Sequence, residues 1–148
     1  MNTEKNNGAI EILLVEDSPG DARLIIELLK DLKITNKIHH VDDGIKALDF
    51  LNQEGDYDDV PKPDLILLDL NLPKMDGHEV LKRIKDDERL KFIPVVILTT
   101  SSNKEDIMET YKHHANCFIT KPVDFGQLIE VIMSIENFWL TIAKLPSK

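Results

Sequence analysis

Asp69, in the segment LILLDLNLPKMDG, is a carboxylate placed directly after an apolar run, and other reactive side chains stand in the same relation to other apolar runs. Glu16-Asp17 follows EILLV, Thr99-Thr100 follows PVVIL, and Lys121-Pro122 follows CFIT. Three carboxylates brought together resist ionising unless a cation compensates them. Glu16, Asp17 and Asp69 offer only oxygen, with no Cys or His in the motif, so the matching ion is hard and oxygen-seeking. Magnesium fits best, because it is commonly held by one or two carboxylates, several waters and a phosphate oxygen. Manganese could substitute. With the ion bound, an Asp69 oxygen can attack a phosphoryl group and form an aspartyl phosphate. Such transfer is mainly positioning and electrostatic stabilisation. Lys121 supplies a point charge for one phosphoryl oxygen, and the Thr99 hydroxyl donates to another. Backbone N–H groups in the loops after Asp69 and Thr99 complete the cradle.

Taken singly, these residues are ordinary. An Asp before a turn can merely shape it, an acid pair can be a solvated loop, and Lys-Pro can be punctuation. Their co-occurrence at the ends of separate apolar runs carries the argument.

Those runs fall at residues 12–15, 38–41, 65–68, 95–98 and 117–119 and are rich in Ile, Val and Leu. Between them lie segments of helical period. The first repeats Ile25, Leu28, Leu29 and Leu32 behind Ser18, a good N-cap, with Pro19 at the first helical position. Ile45, Leu48 and Leu51 mark the second, Leu81 and Ile84 the third, and Ile107, Met108 and Tyr111 a weaker fourth. Phe125, Leu128, Ile129, Ile132 and Ile135 form the strongest stripe, the fifth. Alternating strands and helices imply right-handed crossovers, hence a doubly wound α/β fold with a parallel sheet between helical layers. In such a sheet the C-terminal strand ends line one edge, where ligands bind. Residues 53–63, with a Gly and two prolines, read as a polar loop. The expected organisation is a mobile tail over 1–8, one domain over 9–138 and an extension over 139–148.

The chain has 148 residues, enough for one ordinary domain. Its 18 Lys and Arg against 27 Asp and Glu leave a formal charge of -9, which argues against a nucleic-acid binder. A single cysteine, Cys117, excludes an internal disulfide and points to a reducing compartment. With neither a secretory leader nor an apolar run long enough to span a bilayer, the expected location is the cytoplasm, away from membranes.

With these residues in place, the chain resembles the receiver domain of a two-component response regulator, over residues 10–138. LLVEDSP is similar to that family's first strand and acid pair, LLDLNLPKMDG to its phosphoacceptor segment, PVVILTTS to its hydroxyl segment and FITKP to its lysine segment. The resemblance implies a flavodoxin-like sheet of five parallel strands in the order 2-1-3-4-5, with five helices. It implies that Asp69 takes its phosphoryl group from a phosphohistidine on a sensor histidine kinase. It further implies direct magnesium ligation by Asp17 and Asp69, a water-mediated role for Glu16, and ligation by the Asn71 carbonyl. Thr99 and Lys121 would contact the phosphoryl oxygens, Phe118 would be the aromatic switch, and the bond before Pro122 would be cis. Thr100 departs from the small residue usual in the family and would alter access to the site. Asn71 and Ser101 occupy the positions that modulate loss of the phosphoryl group. The acidic loop, TTSSN and the ending FWLTIAKLP resemble single-domain receivers that partner bacterial phytochrome-type kinases. That likeness implies a homodimer through the helix 4 to helix 5 face and the C-terminal extension.

Other signals are weaker. His39-His40, His113-His114 and His78 are expected to be solvated, since neighbouring strand residues point to opposite faces and chelate poorly. Residues 56–59 lack EF-hand spacing. Phe138, Trp139, Ile142 and Leu145 prolong the last apolar stripe, either as a partner surface or folded onto the domain. The main expectation is a switch that signals by altered protein contacts. A metal-dependent phosphohydrolase is disfavoured because Asn71 stands where such enzymes commonly carry a second acid. A phosphorylation-independent interaction module fits poorly with the intact Asp17, Asp69, Thr99 and Lys121. A dinucleotide-binding protein lacks its GxGxxG.

Overall fold

A computed structural model describes residues 9–33, 35–121 and 124–138. Five strands, β1 (Ile10–Val15), β2 (Asn36–Val41), β3 (Leu65–Leu68), β4 (Val95–Thr99) and β5 (Cys117–Thr120), form one parallel sheet in the order β2-β1-β3-β4-β5. The connecting helices are α1 (Pro19–Lys30), α2 (Gly44–Leu51), α3 (Gly77–Asp86), α4 (Lys104–Lys112) and α5 (Phe125–Ile135). The doubly wound architecture expected from the alternating pattern is therefore the observed one.

Two-residue periodicity divides the strand side chains between two cores. Leu13, Val15, Ile66, Leu68, Val95 and Ile97 pack with Ala47, Phe50, Leu51, Val80, Leu81 and Ile84 of α2 and α3. Their neighbours Ile12, Leu14, Leu65, Leu67, Val96 and Leu98 pack with Ala22, Ile25 and Leu29 of α1 and Leu128, Ile132 and Ile135 of α5. Burial on both faces explains why the β1, β3 and β4 sequences are near-continuous apolar runs, interrupted only by Glu11 and ended by Thr99. Each fully buried Leu or Ile contributes roughly 1.5–3 kcal/mol. Leu67→Ala would cost about 2–5 kcal/mol by opening a cavity against α1 and α5.

The helices start at the sheet's C-terminal edge, and each has a side-chain cap there. Ser18 Oγ accepts from the Asp21 N–H, Asp43 from Lys46, Asp76 from Glu79, Asn103 from Glu105 and Asp124 from Gly126. Such caps satisfy N–H groups orphaned at a helix start.

Some details differ from the sequence expectations. Thr99 is the last residue of β4 rather than the first beyond it, because its pairing with Thr120 extends the ladder. On α4 the stripe Ile107, Met108, Tyr111 does not mark the core side: Thr110 is fully buried, whereas Met108 is 71% and Tyr111 48% exposed. Residues 55–57 form a 3-10 turn, and the Tyr57 ring lies 5.4 Å from Phe50, tying the acidic loop to α2. Cys117 is half-buried. The tail over 1–8, the extension over 139–148 and the expected cis bond at Pro122 lie outside the described residues.

Candidate functional site

Four chain segments deliver the site at the C-terminal edge of the sheet. Glu16 leaves β1 with its N–H donated to the Val41 carbonyl at 3.1 Å, and Asp69 leaves β3 with its N–H donated to Val15 at 3.0 Å. Lys121 leaves β5 with its N–H donated to the Thr99 carbonyl. The ladder that builds the sheet therefore also fixes where the site's backbone sits.

Glu16, Asp17 and Asp69 each present a carboxylate oxygen within 4.8 Å of the others. Glu16 and Asp69 are buried and Asp17 is exposed. An all-oxygen set of this size, open to solvent on one side, suits an ion that keeps part of its water shell, and magnesium or manganese fits. The backbone of Asn71 is adjacent, since its N–H donates to Asp69 Oδ1 at 3.1 Å. Its side chain is exposed, as is Thr100, whereas Ser101 is half-buried.

Lys121 enters this cluster from β5. Its Nζ lies 2.6 Å from Glu16 Oε1, 2.8 Å from Asp21 Oδ2 and 3.2 Å from Asp69 Oδ2. Burial alone would lower the ammonium's pKa, but hydrogen bonds to Asp21 and Glu16 and the charge of Asp69 hold it above its ordinary value. Burial pushes the Glu16 carboxyl up to about 7, with Asp69 adding to the rise and bonds from Lys121 and the Ser18 N–H opposing it. The His40 ring also donates to the Glu16 carbonyl at 2.8 Å.

The remaining residues flank this centre. Thr99 is fully buried, and its Oγ1 accepts from the Ser101 N–H at 3.5 Å. Phe118, half-buried, packs against the core on the α2 and α3 side, and its N–H donates to the Tyr111 hydroxyl at 3.1 Å. Gly77 shows why the segment ends in MDG: a Cβ there would lie 2.4 Å from the Asp69 carbonyl oxygen and 2.5 Å from the Leu70 Cα. Only glycine lets α3 start against the peptide that carries Asp69.

Asp21 is not evident as a site residue from the sequence, where its one signal is an acid in the first turn of the helix after Glu16-Asp17. Of the histidines expected to be solvated, His39 instead pairs with Glu11 at 2.7 Å, His78 with Asp106 at 2.9 Å and His113 with Glu109 at 3.0 Å. The reason is local: each ring has a carboxylate on a neighbouring strand, helix or helical turn.

Comparison with known proteins agrees with this geometry. The response regulator receiver domain family matches residues 12–133. Response regulator Rcp1 of Synechocystis sp. is 47% identical over 145 residues, spanning 98% of this chain and 99% of Rcp1. Among solved structures, the phosphorylated cyanobacterial phytochrome response regulator RcpA is similar with a TM-score of 0.91 and 50% identity, covering 94% of this chain and 99% of RcpA. The Mn2+-bound form of Rcp1 gives a TM-score of 0.90 and 48% identity, covering 93% of this chain and 99% of Rcp1. The chain belongs to the response regulator receiver domain family.

Proposed function

We propose that Asp69 is the phosphoacceptor of this response regulator and that Glu16, Asp17, Asp69 and the Asn71 carbonyl hold its divalent cation. The cofactor is Mg2+, for which Mn2+ can stand in. When bound, the ion offsets the acids' mutual repulsion and the negative charge of the phosphoryl oxygens. The observation that carries the reading is the meeting of Lys121 Nζ with both Glu16 and Asp69, residues 105 and 52 positions away in sequence. A buried ammonium beside a carboxylate nucleophile is what an incoming phosphoryl group requires.

In this reading Asp69 attacks phosphorus, the bond to the donor breaks, and Lys121 and the Thr99 hydroxyl hold two of the phosphoryl oxygens. Phe118 and Thr99 form the switch, and Asn71, Thr100 and Ser101 set the lifetime. The donor is a phosphohistidine on a sensor histidine kinase in the cytoplasm. A phytochrome-like kinase is favoured by the likeness to RcpA. Output passes through altered protein contacts, including a homodimer through the α4 and α5 faces and the C-terminal extension. Exposed Met108, Tyr111, Met133 and Phe138 support that surface.

Incubation with Mg2+ and acetyl phosphate tests the assignment. Wild-type protein should gain one acid-labile phosphoryl group by mass spectrometry and Asp69→Asn none; label retained by the variant would remove Asp69 as acceptor.

A further inference from the structure

The loop between β4 and α4 is fastened by a chain of hydrogen bonds that reaches across to α3. Ser101 Oγ donates to Asp106 Oδ2 at 2.6 Å, and His78 Nε2 donates to Asp106 Oδ1 at 2.9 Å. Asp106 lies in the first turn of α4 and His78 in the first turn of α3, so one carboxylate ties two helices to one loop residue. Ser101 is the node. Its N–H donates to Thr99 Oγ1 at 3.5 Å, its carbonyl accepts from Thr120 Oγ1 at 3.4 Å, and its Oγ accepts from the Asn103 N–H at 3.3 Å. The order Ser-Asp-His puts the carboxylate rather than the imidazole against the serine, so it is not a nucleophilic triad.

His78 does more here than decorate a surface. Its Nδ1 is buried without a hydrogen-bond partner among the described residues, which leaves Asp106 as the group that orients the ring. Asp106 is held ionised below its usual range by the bond from Ser101 and then by the bond from His78.

A phosphoryl group on Asp69 would be a second anion beside this loop, because β4 pairs directly with β3, which ends one residue before Asp69. A hydroxyl has one proton to donate. While Asp106 holds the Ser101 proton, that proton is withheld from the site, and the Ser101 N–H stays on Thr99.

We propose that His78 and Asp106 are positioning residues that latch the β4–α4 loop through Ser101 and thereby limit how fully Asp69 is phosphorylated. The inference rests on the assignment of Asp69 as acceptor. In the resting protein the latch favours the loop as described; phosphorylation has to draw Ser101 away from Asp106.

The test compares wild type, His78→Ala, Asp106→Ala and Asp106→Asn in Mg2+ and acetyl phosphate, with the phosphorylated fraction read by mass spectrometry. The His78 ring nitrogen resonances are followed in parallel. Both alanine variants should raise the ratio of phosphorylated to free protein about ten- to a hundred-fold, the range for one hydrogen bond to a charged group. Asp106→Asn should fall between wild type and the alanine variants, since its amide still accepts from Ser101 but can donate to His78 only if the ring proton moves to the buried, unpartnered Nδ1. The wild-type His78 resonances should move on phosphorylation. Unchanged ratios, an asparagine variant behaving like the alanine one, or stationary His78 resonances would each overturn the latch. Should the alanine variants fail to fold, the wild-type resonances decide. Wild type that takes no label overturns the acceptor assignment and the latch together, whereas labelled wild type with unaltered ratios overturns the latch alone.

Discussion

Lys121 stands nearer to Glu16 than to Asp69, with its Nζ 2.6 Å from the former and 3.2 Å from the latter. The ammonium thus sits among the acids as their internal counter-ion. Its side chain is only 5% exposed, so water does little to replace it.

Lys121→Ala should therefore destabilise the metal-free protein by about 3–5 kcal/mol, because buried carboxylates lose their partner. Mg2+ should recover part of that loss and stabilise the variant more than wild type. Urea unfolding in EDTA and in excess Mg2+ checks both points; equal Mg2+ effects on the two proteins would refute the counter-ion role.

The raised pKa of Glu16, about 7 against an ordinary 4.5, has a definite sign. Folded protein holds this proton more tightly than unfolded chain, so the contribution is complete below about 4.5 and disappears as pH rises through 7. Melting temperatures in EDTA should fall between pH 5 and 8, and Glu16→Gln should flatten part of that decline. Mg2+ binding needs the carboxylate, so affinity should weaken by up to about tenfold per pH unit below 7, with proton release on binding. Calorimetry in two buffers of different ionisation enthalpy measures that release.

Gly77→Ala would place a methyl against backbone that cannot swing aside, 2.4 Å from the Asp69 carbonyl oxygen. A loss of about 3 kcal/mol or more is expected, the upper end of overpacking. Because the strained peptide is Asp69-Leu70, labelling by acetyl phosphate should fall even under conditions where the variant is folded. Retained stability with normal labelling would show that α3 can retreat at no cost.

Met108, 71% exposed on α4, lies on the surface proposed above for a homodimer. Met108→Lys should leave labelling of Asp69 unchanged while abolishing any phosphorylation-dependent dimer in light scattering. A dimer that persists in the variant would move the interface elsewhere.

Much of this protein is written locally. The apolar runs, the helical stripes and the residues that end each run are contiguous in the chain. Backbone hydrogen bonding and two-sided burial then leave few alternatives to a parallel sheet. Asp69, Glu16, Asp17, Thr99 and Lys121 could be picked out because each stands at or just beyond the end of an apolar run. Chain order alone, however, does not say which polar groups meet across the crevice. Asp21 joins Lys121, His78 reaches Asp106, and His40 caps the Glu16 carbonyl only once the β2-β1-β3-β4-β5 order and the helix starts have brought separate segments side by side. The exposed face of α4 was decided the same way, since the helix's seat against α3 and β5, rather than its own periodicity, turns Thr110 inward and leaves Met108 in solvent. Periodicity is a property of one segment; partner choice and the orientation of a weakly amphipathic helix depend on the surfaces it meets.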